Sequence, residues 1–563
     1  MARSNRVSRR MRNIAFNFGS TSFFAPAGTE FSALSEHFGK LNGNLAAVRA
    51  DGEILPLAAE AIVSANLEPV LLESREGAVI HRHTLSFILC AAAKILFPER
   101  CLRAAHSLGN AYFFSLSEDS PFKDSELTML RCKMDSLIQD NLPIKTVKLS
   151  FVEALEIFEK QGSEETARLL RQTTGSYITV NRLEGYTSLF SAPLLARTGL
   201  AGQYAIDAYE DGFLLRFPVF DEKSGRLVLE QTFKRLPLIF SVYKEAKTWA
   251  RVAGVRSACD LNALVERREA RDFIRIVEAY ADKRLSKIAD AIYERRNDIK
   301  LVLIAGPSSS GKTTTSKRLS IQLQTVGIEP VAVSLDDYYL PPERVPLDSH
   351  GQPDFECLES LDVPFLNEQL IALLNGDEVT LPSFDFKRGV RKEGAKIRLE
   401  NGKILLIEGI HGLNDALTPN ISKANKFKLY ASALTQLNID RHTRIATTDN
   451  RLLRRLVRDY QFRGVGAART LRMWPAVQLG AEKHIFTFQQ EADAVFNSAL
   501  DYEIAVLKLY AEPLLRSVKP REPEYSEAVR LLSLLGRFYT IPPSLVPPLS
   551  TLREFIGDSA FKY

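Results

Sequence analysis

Five cysteines in 563 residues, none in a C-x-x-C pair, leave little from which to build a disulfide frame or a structural zinc site. Cys90, Cys101, Cys132, Cys259 and Cys357 are scattered and odd in number, which fits a reducing compartment and sets a cytoplasmic location as the expectation. No uninterrupted apolar run reaches the roughly 18 residues a membrane span requires, so no membrane partner is expected. Excess charge of one sign is also missing: the net charge of +5 is too mild to imply nucleic-acid binding by itself. There is no internal repeat and no low-complexity tract. The length excludes a single core and predicts about three or four domains. The hydrophobic (45%) and charged (25%) fractions are those of an ordinary globular protein. No acid precedes Glu30, and "MARSNRVSRRMRNIAF" carries five arginines. This reads as a short basic tail, with an organelle transit peptide as the alternative.

Along the chain, "VRADGEILPL" (48–57) reads as a β-hairpin with Asp51-Gly52 at its tip. "RHTLSFILCAAAKILFPE" (82–99) reads as a buried helix stopped by Pro98, and "AIDAYEDGFLLRFPVF" (205–220) as a second hairpin. Residues 262–297 carry charged helical periodicity. From 300 onward the pattern becomes α/β. "LVLIA", "PVAVSL" (330–335), "KILLIE" (403–408) and "FKLYAS" (427–432) are continuous apolar runs, suited to parallel strands covered on both faces. Helices at about 312–326, 363–375 and 450–461 between or after them predict a three-layer domain. Beyond about 510 the chain reads as helical, then Pro-rich at "IPPSLVPPLS".

The strongest motif is "LVLIAGPSSSGKTTTSKRLS" (301–320). Gly306, Pro307, Ser308, Ser309, Ser310, Gly311, Lys312 and Thr313 satisfy G-x-x-x-x-G-K-[ST] between a strand and a helix, a nucleoside triphosphate cradle. Its glycines let backbone N–H groups turn inward around phosphates, Lys312 reaches the β/γ oxygens, and the Thr313 hydroxyl is a magnesium ligand. Thr314 extends the cradle into the helix. "SLDDYY" (334–339) ends the second strand with two acids, of which Asp336 or Asp337 is the candidate proton acceptor; a turn or helix-capping acid is the bland alternative. Glu408 closes the third apolar strand, where a buried carboxylate would be costly unless it organises magnesium. Arg451, Arg454, Arg455 and Arg458 share one helix face. A solvated basic face is one reading; a lid that closes arginines over the triphosphate is the preferred one.

"GPSSSGKTT", "SLDDYYLP", "QPDFECLESLD", "LPSFDFKRGVRK", "LLIEGIHGL" and "RLLRRLVRDYQFRG" occur in the order seen in the uridine kinase / phosphoribulokinase family, over about 300–510. The resemblance is closest to the uridine kinase branch. It implies an ATP-dependent kinase using Mg²⁺, with Asp336 activating a nucleoside 5′-hydroxyl and Lys312 at the phosphates. It further implies Tyr339 beside the base, Asp354 on the ribose, Thr313 and Glu408 at magnesium, and Arg455, Arg458 and Arg463 in the arginine lid. The family's base-reading Tyr and His positions correspond here to Phe384 and Gly389, so polar readout of a base is reduced. In an alternative reading, a sugar-phosphate kinase, the basic "KRGVRK" (387–392), with Arg391 as candidate, grips a substrate phosphate.

The front half carries two further resemblances. "FFAPAGTEFSALSEHF" with "LAAVRADGEILPL" resembles a TGS domain, a β-grasp module. "HRHTLSFILCAAAKILFPE" and "YTSLFSAPLLARTG" resemble the second additional (editing) domain of threonyl-tRNA synthetases. Of that domain's four catalytic positions only His83 remains; the others align to Phe87, Phe190 and Leu194, which neither hold a metal nor run acid–base hydrolysis. His81, His83 and His106 are therefore expected as core or surface histidines. The implied organisation is a basic tail (1–12), a TGS-like β-grasp domain (13–70), an editing-like α+β domain (71–245), a helical connector (246–298), a P-loop kinase domain with a three-layer parallel sheet (299–515), and a helical, Pro-rich extension (516–563). The expected partner is a nucleoside or related small alcohol. Homo-oligomerisation is left open, as is RNA binding by an ATP-sensing regulatory protein, the less favoured reading.

Overall fold

The continuous apolar runs of the second half pair edge to edge in the computed structural model, which describes residues 12–116, 121–347, 351–385, 390–400 and 402–563. Strands β1 (Leu301–Ala305), β2 (Glu329–Ser334), β3 (Lys403–Glu408), β4 (Lys426–Ser432) and β5 (Ala494–Asn497) form one parallel sheet in the order β2-β3-β1-β4-β5. β1 and β4 are buried throughout, which is why these segments show no alternation of polar and apolar residues. On one face, Leu319 and Leu323 of helix α1 (Lys312–Thr325) pack with Leu285, Ile288 and Ile292 against Val302, Ile304 and Leu429. On the other, Leu366, Leu370 and Leu373 cover Leu301, Leu303, Leu405 and Ile407. The three layers are as expected. Of the helix Ala270–Glu294, read as connector, the second half (Leu285, Ile288, Ile292) packs on this sheet, while Phe273, Ile274 and Val277 of the first half lie in a core shared with Phe158 and Leu170 of the front half. β5 was not anticipated because a four-residue strand is too short to show periodicity.

Register places the site. Ile304 of β1 and Ser334 of β2 both lie opposite Glu408 of β3. The carboxyl ends of three strands are therefore level, and the loops leaving them meet at one edge, where parallel α/β sheets bind ligands.

The front half is built from separate sheets. The first has the order Thr21–Pro26, Asn13–Phe18, Ala65–Leu71, Leu45–Ala50, Glu53–Pro56. Its first and last chain segments, Asn13–Phe18 and Ala65–Leu71, run parallel in the middle, with a hairpin edge on each side. Asp51 and Gly52 take φ of +44° and +89° at the tip of the expected hairpin. A four-stranded sheet (Arg103–Leu108, Ala111–Ser115, Ala205–Tyr209, Gly212–Arg216) and a three-stranded one (Lys145–Ser150, Tyr177–Leu183, Tyr186–Leu189) follow. The basic-tail reading falls on residues 1–11, outside the described residues, except for Arg12.

The apolar helix begins earlier than expected, at Arg75, because the Ser74 hydroxyl caps it by accepting the Gly77 N–H at 2.9 Å. Its full extent, Arg75–Leu96, is long and apolar enough to cross a bilayer by length and composition alone, a test that a buried core helix also passes. Its side chains Ile80, Leu85, Ile88 and Leu89 are buried in a protein core shared with Phe114, Leu130 and Phe213.

The two halves are joined at the loop between β4 and helix α2 (Thr447–Arg463). Asn438 donates to the Ala104 carbonyl at 2.8 Å, the Ala104 N–H donates to the Arg441 carbonyl at 3.0 Å, and the Thr166 hydroxyl donates to Asp440 at 3.0 Å. Tyr186 Oη lies 2.8 Å from His442 Nδ1. The front module thus grips the segment that leads into α2.

Candidate active site

The loop after β1 needs its glycines. A Cβ on Gly306 would lie 1.9 Å from the Ala431 carbonyl oxygen, and Gly311 has φ +81°. Ser309 also adopts φ +60°, a conformation a serine takes only when its surroundings impose it. The loop carbonyls are held from outside. Pro307 O accepts from Lys312 Nζ at 3.4 Å, Ser308 O from Arg451 Nε at 3.0 Å, Ser309 O from Arg454 Nη1 at 3.4 Å, and Ser310 O from the Ser498 hydroxyl at 2.5 Å. With the carbonyls turned out, the loop amides form an anion-binding concavity. The buried Ser309 and Ser310 hydroxyls have no hydrogen-bond partner among the described residues.

The acids converge on this loop. Glu408 Oε1 lies 3.1 Å from Thr313 Oγ1. Burial pushes the Glu408 carboxyl up to about 7, opposed by Lys312 and the Thr313 hydrogen bond. A carboxylate this poorly compensated beside a hydroxyl fits a divalent cation, which takes few protein ligands when phosphates supply the rest. Asp336 and Asp337 follow β2 in a tight turn (Leu335–Tyr338). Asp337 accepts the Phe384 N–H at 3.0 Å, a turn-anchoring role. Among the described residues no donor anchors the Asp336 side chain, which stays open to solvent; the protein packed around it raises its carboxyl, while Lys312, Arg463 and Arg458 hold it down. The two acids that sequence spacing leaves equivalent are thus separated by what faces them.

A model described as the phosphoribulokinase / uridine kinase family matches residues 301–505. A uridine kinase of Deinococcus deserti is 30% identical over 162 residues, 29% of this chain and 69% of that protein. The chain belongs to the phosphoribulokinase / uridine kinase family. The N-terminal region matches threonine–tRNA ligases, among them that of Desulforamulus reducens, 31% identical over 113 residues. That match covers 20% of this chain and 18% of the ligase, and the chain spans about a fifth to a quarter of the length of the first ligases it matches. A solved structure from Bacillus stearothermophilus, described as a possible uridine kinase, is 20% identical over 37% of this chain and 99% of its own, with a TM-score of 0.24.

In this family member the arginine face of α2 looks inward. Arg454 is fully buried, paired with Glu503 at 2.6 Å and bonded to Ser498 O at 2.8 Å. Arg451 lies over the Trp474 ring at 5.2 Å. These two arginines fasten the loop from behind, which corrects the expectation of a lid for half of the face. Arg455 donates to the Ser308 hydroxyl at 2.9 Å, and Arg455, Arg458 and Arg463 surround Asp459 at 3.2, 3.0 and 3.8 Å. Arg458 and Arg463 also act on Asp336.

The acceptor side is aromatic. The Tyr339 ring centroid is 6.0 Å from Phe355 and 6.1 Å from Phe384, and Tyr339 Oη donates to the Phe355 carbonyl at 3.2 Å. Asp354 caps the Glu356 N–H at 3.0 Å and lies 4.0 Å from His484 Nε2. Gly389 falls outside the described residues, as do Lys387 and Arg388. Arg391 is not aimed at a substrate: its guanidinium binds Asp362 at 3.0 Å and the Tyr338 and Tyr339 carbonyls at 3.1 and 3.2 Å. It ties the turn end of the hairpin Glu378–Asp385/Val390–Arg398, where Arg391 pairs with Phe384, to the segment after β2. Sequence reasoning missed Glu356, whose buried carboxyl faces Lys312, Arg455 and Arg451; its place beside Asp354 in "QPDFE" was the available signal.

At the editing-like positions, Phe87 packs 5.4 Å from the Tyr186 ring and Leu194 is buried in the same core. Phe190 is half-buried, and its carbonyl accepts from Arg537 at 3.4 Å. Burial lowers the His81, His83 and His106 imidazoles to about 4, 4 and 3.

Proposed function

We propose that the chain transfers the terminal phosphoryl group of ATP to the hydroxyl of a small alcohol, with a nucleoside 5′-hydroxyl as the first candidate. The observation carrying this reading is Asp336, an acid without an anchoring donor among the described residues, at the carboxyl edge of the sheet and faced by Lys312, Arg458 and Arg463. A sensor needs the phosphate loop; an acid placed to take a proton beside it favours turnover.

The acceptor hydroxyl gives its proton to Asp336 as its oxygen attacks the donor's terminal phosphorus. Lys312 and the Arg455, Arg458 and Arg463 guanidiniums offset charge on the transferred group. Thr313 and Glu408 would hold magnesium, which supplies Lewis-acid charge neutralisation at the phosphate oxygens. Tyr339 and Phe384 flank a planar base, and Asp354 accepts from ribose hydroxyls. Phe384 brings no hydroxyl to a base edge, so discrimination among bases is weak. Arg391, bonded to Asp362 and the Tyr338 and Tyr339 carbonyls, gives no support to a phosphorylated acceptor, the alternative that rests on residues 387–392. Five free cysteines fit the reducing compartment in which such a kinase would work. Phosphorus NMR of the product tests the reading: a nucleoside 5′-monophosphate is expected, and a product formed only from sugar phosphates would replace it with the phosphoribulokinase-type alternative.

A further inference from the structure

The segment Ser550–Tyr563, read from sequence as a remote extension, comes back across 240 residues to the start of α1. Glu554 accepts the Thr314 N–H at 3.2 Å and the Thr314 hydroxyl at 2.6 Å. Tyr563 Oη lies 2.8 Å from the same hydroxyl. Thr551 presses on the loop so closely that a Cβ on Gly311 would meet its methyl at 2.5 Å, and Arg318 of α1 reaches its hydroxyl at 3.3 Å. The Phe555 ring lies under Arg454 at 5.0 Å.

Thr314 follows the Lys312-Thr313 pair, so its N–H is one of the free donors at the amino end of a 14-residue helix, where phosphate oxygens bind. An N–H already given to a carboxylate is not available to a phosphate, and the two anions repel at this range. The backbone behind Glu554 is firmly seated. Leu552, Phe555 and Ile556 are buried, and Arg553 binds the Pro543 and Val546 carbonyls at 2.9 and 2.7 Å. Glu554 itself is only partly buried, so its side chain can leave Thr314 without the segment unfolding.

We propose that Glu554 is a built-in competitor of the phosphate donor: it holds on Thr314 the place of a donor phosphate, and donor binding displaces it. The inference rests on the nucleotide-site reading given above. It makes the apparent donor affinity lower than the intrinsic one by the fraction of molecules in which Glu554 has swung away.

Calorimetric titration of the full chain with Mg-ATP tests it, using wild type, Glu554→Gln and Glu554→Ala, each checked for an unchanged circular dichroism spectrum. Both variants are expected to bind about fivefold tighter or more, and adenosine, which has no phosphate, to bind all three alike. Hydrogen exchange of the Thr314 amide in the wild type should change on adding Mg-ATP, as one acceptor replaces another. Equal or weaker ATP binding by both variants, with the wild type binding, overturns the competitor role alone. Failure of all three to bind ATP at millimolar concentration overturns the nucleotide-site reading, and the competitor role with it.

Discussion

Two sets of titratable groups, one in the front half and one at the phosphate loop, are treated oppositely by burial. In the front half, His81, His83, His106 and Cys90 are titratable groups for which desolvation outweighs the charges nearby, Arg444 beside His106 and Arg82, Arg530 and Asp449 around His83. Burial discharges them: the imidazoles fall to about 4 or below and the thiol rises to about 12. At the phosphate loop, buried Arg454 faces Glu503, and Arg455 and Arg458 face Asp459. There burial is matched by opposite charge, so ions persist where water is scarce. A neutral buried cluster stabilises a core; a charged one with an unpaired edge is equipped to handle phosphate.

The strongest challenge to this contrast is to remove one member of the charged cluster. Arg454→Met leaves Glu503 buried without its partner and should cost about 3–5 kcal/mol of stability in denaturant unfolding; a loss under about 1 kcal/mol would mean the pair is not desolvated. Next is Asp336→Asn, expected to lower kcat by about two orders of magnitude or more, about 2.7 kcal/mol in the barrier, with ATP affinity within about twofold of wild type. A third arm uses acid. The front histidines protonate near 6.5 when unfolded but at about 4 or below when folded, so their contribution is complete above pH 6.5 and is lost as pH falls toward 4. Amide exchange in the four-stranded front sheet should rise over that window, and His106→Phe should flatten the rise. The smallest effect is predicted for His83→Gln: kcat/KM for phosphoryl transfer should stay within about twofold of wild type, since desolvation keeps His83 neutral. A tenfold loss would draw the front half into the chemistry.

Much of this was legible in sequence because it is local. A buried strand running into a glycine-bearing loop and a helix announces itself over twenty residues, and so did the four longer strands. Asp336 and Asp337 were not separable, because the Phe384 N–H that anchors Asp337 lies 47 residues away. The arginine spacing on α2 identified a face but not its direction; only the packing of Arg451 and Arg454 behind the loop shows that. Glu554 carries no local signal, since its meaning comes from Thr314 far up the chain. The grip of Ala104, Thr166 and Tyr186 on residues 438–442 was equally invisible. Through it the front half positions the segment that leads into the arginine helix.

Whether Asp336 makes this chain a phosphotransferase is decided by acceptor-dependent ADP release from Mg-ATP, measured side by side for wild type and Asp336→Asn across nucleosides and sugar phosphates. Release with at least one nucleoside is expected from the wild type, with near-complete loss in the variant. Release that needs no acceptor, or that survives unchanged in Asp336→Asn, would contradict the assignment.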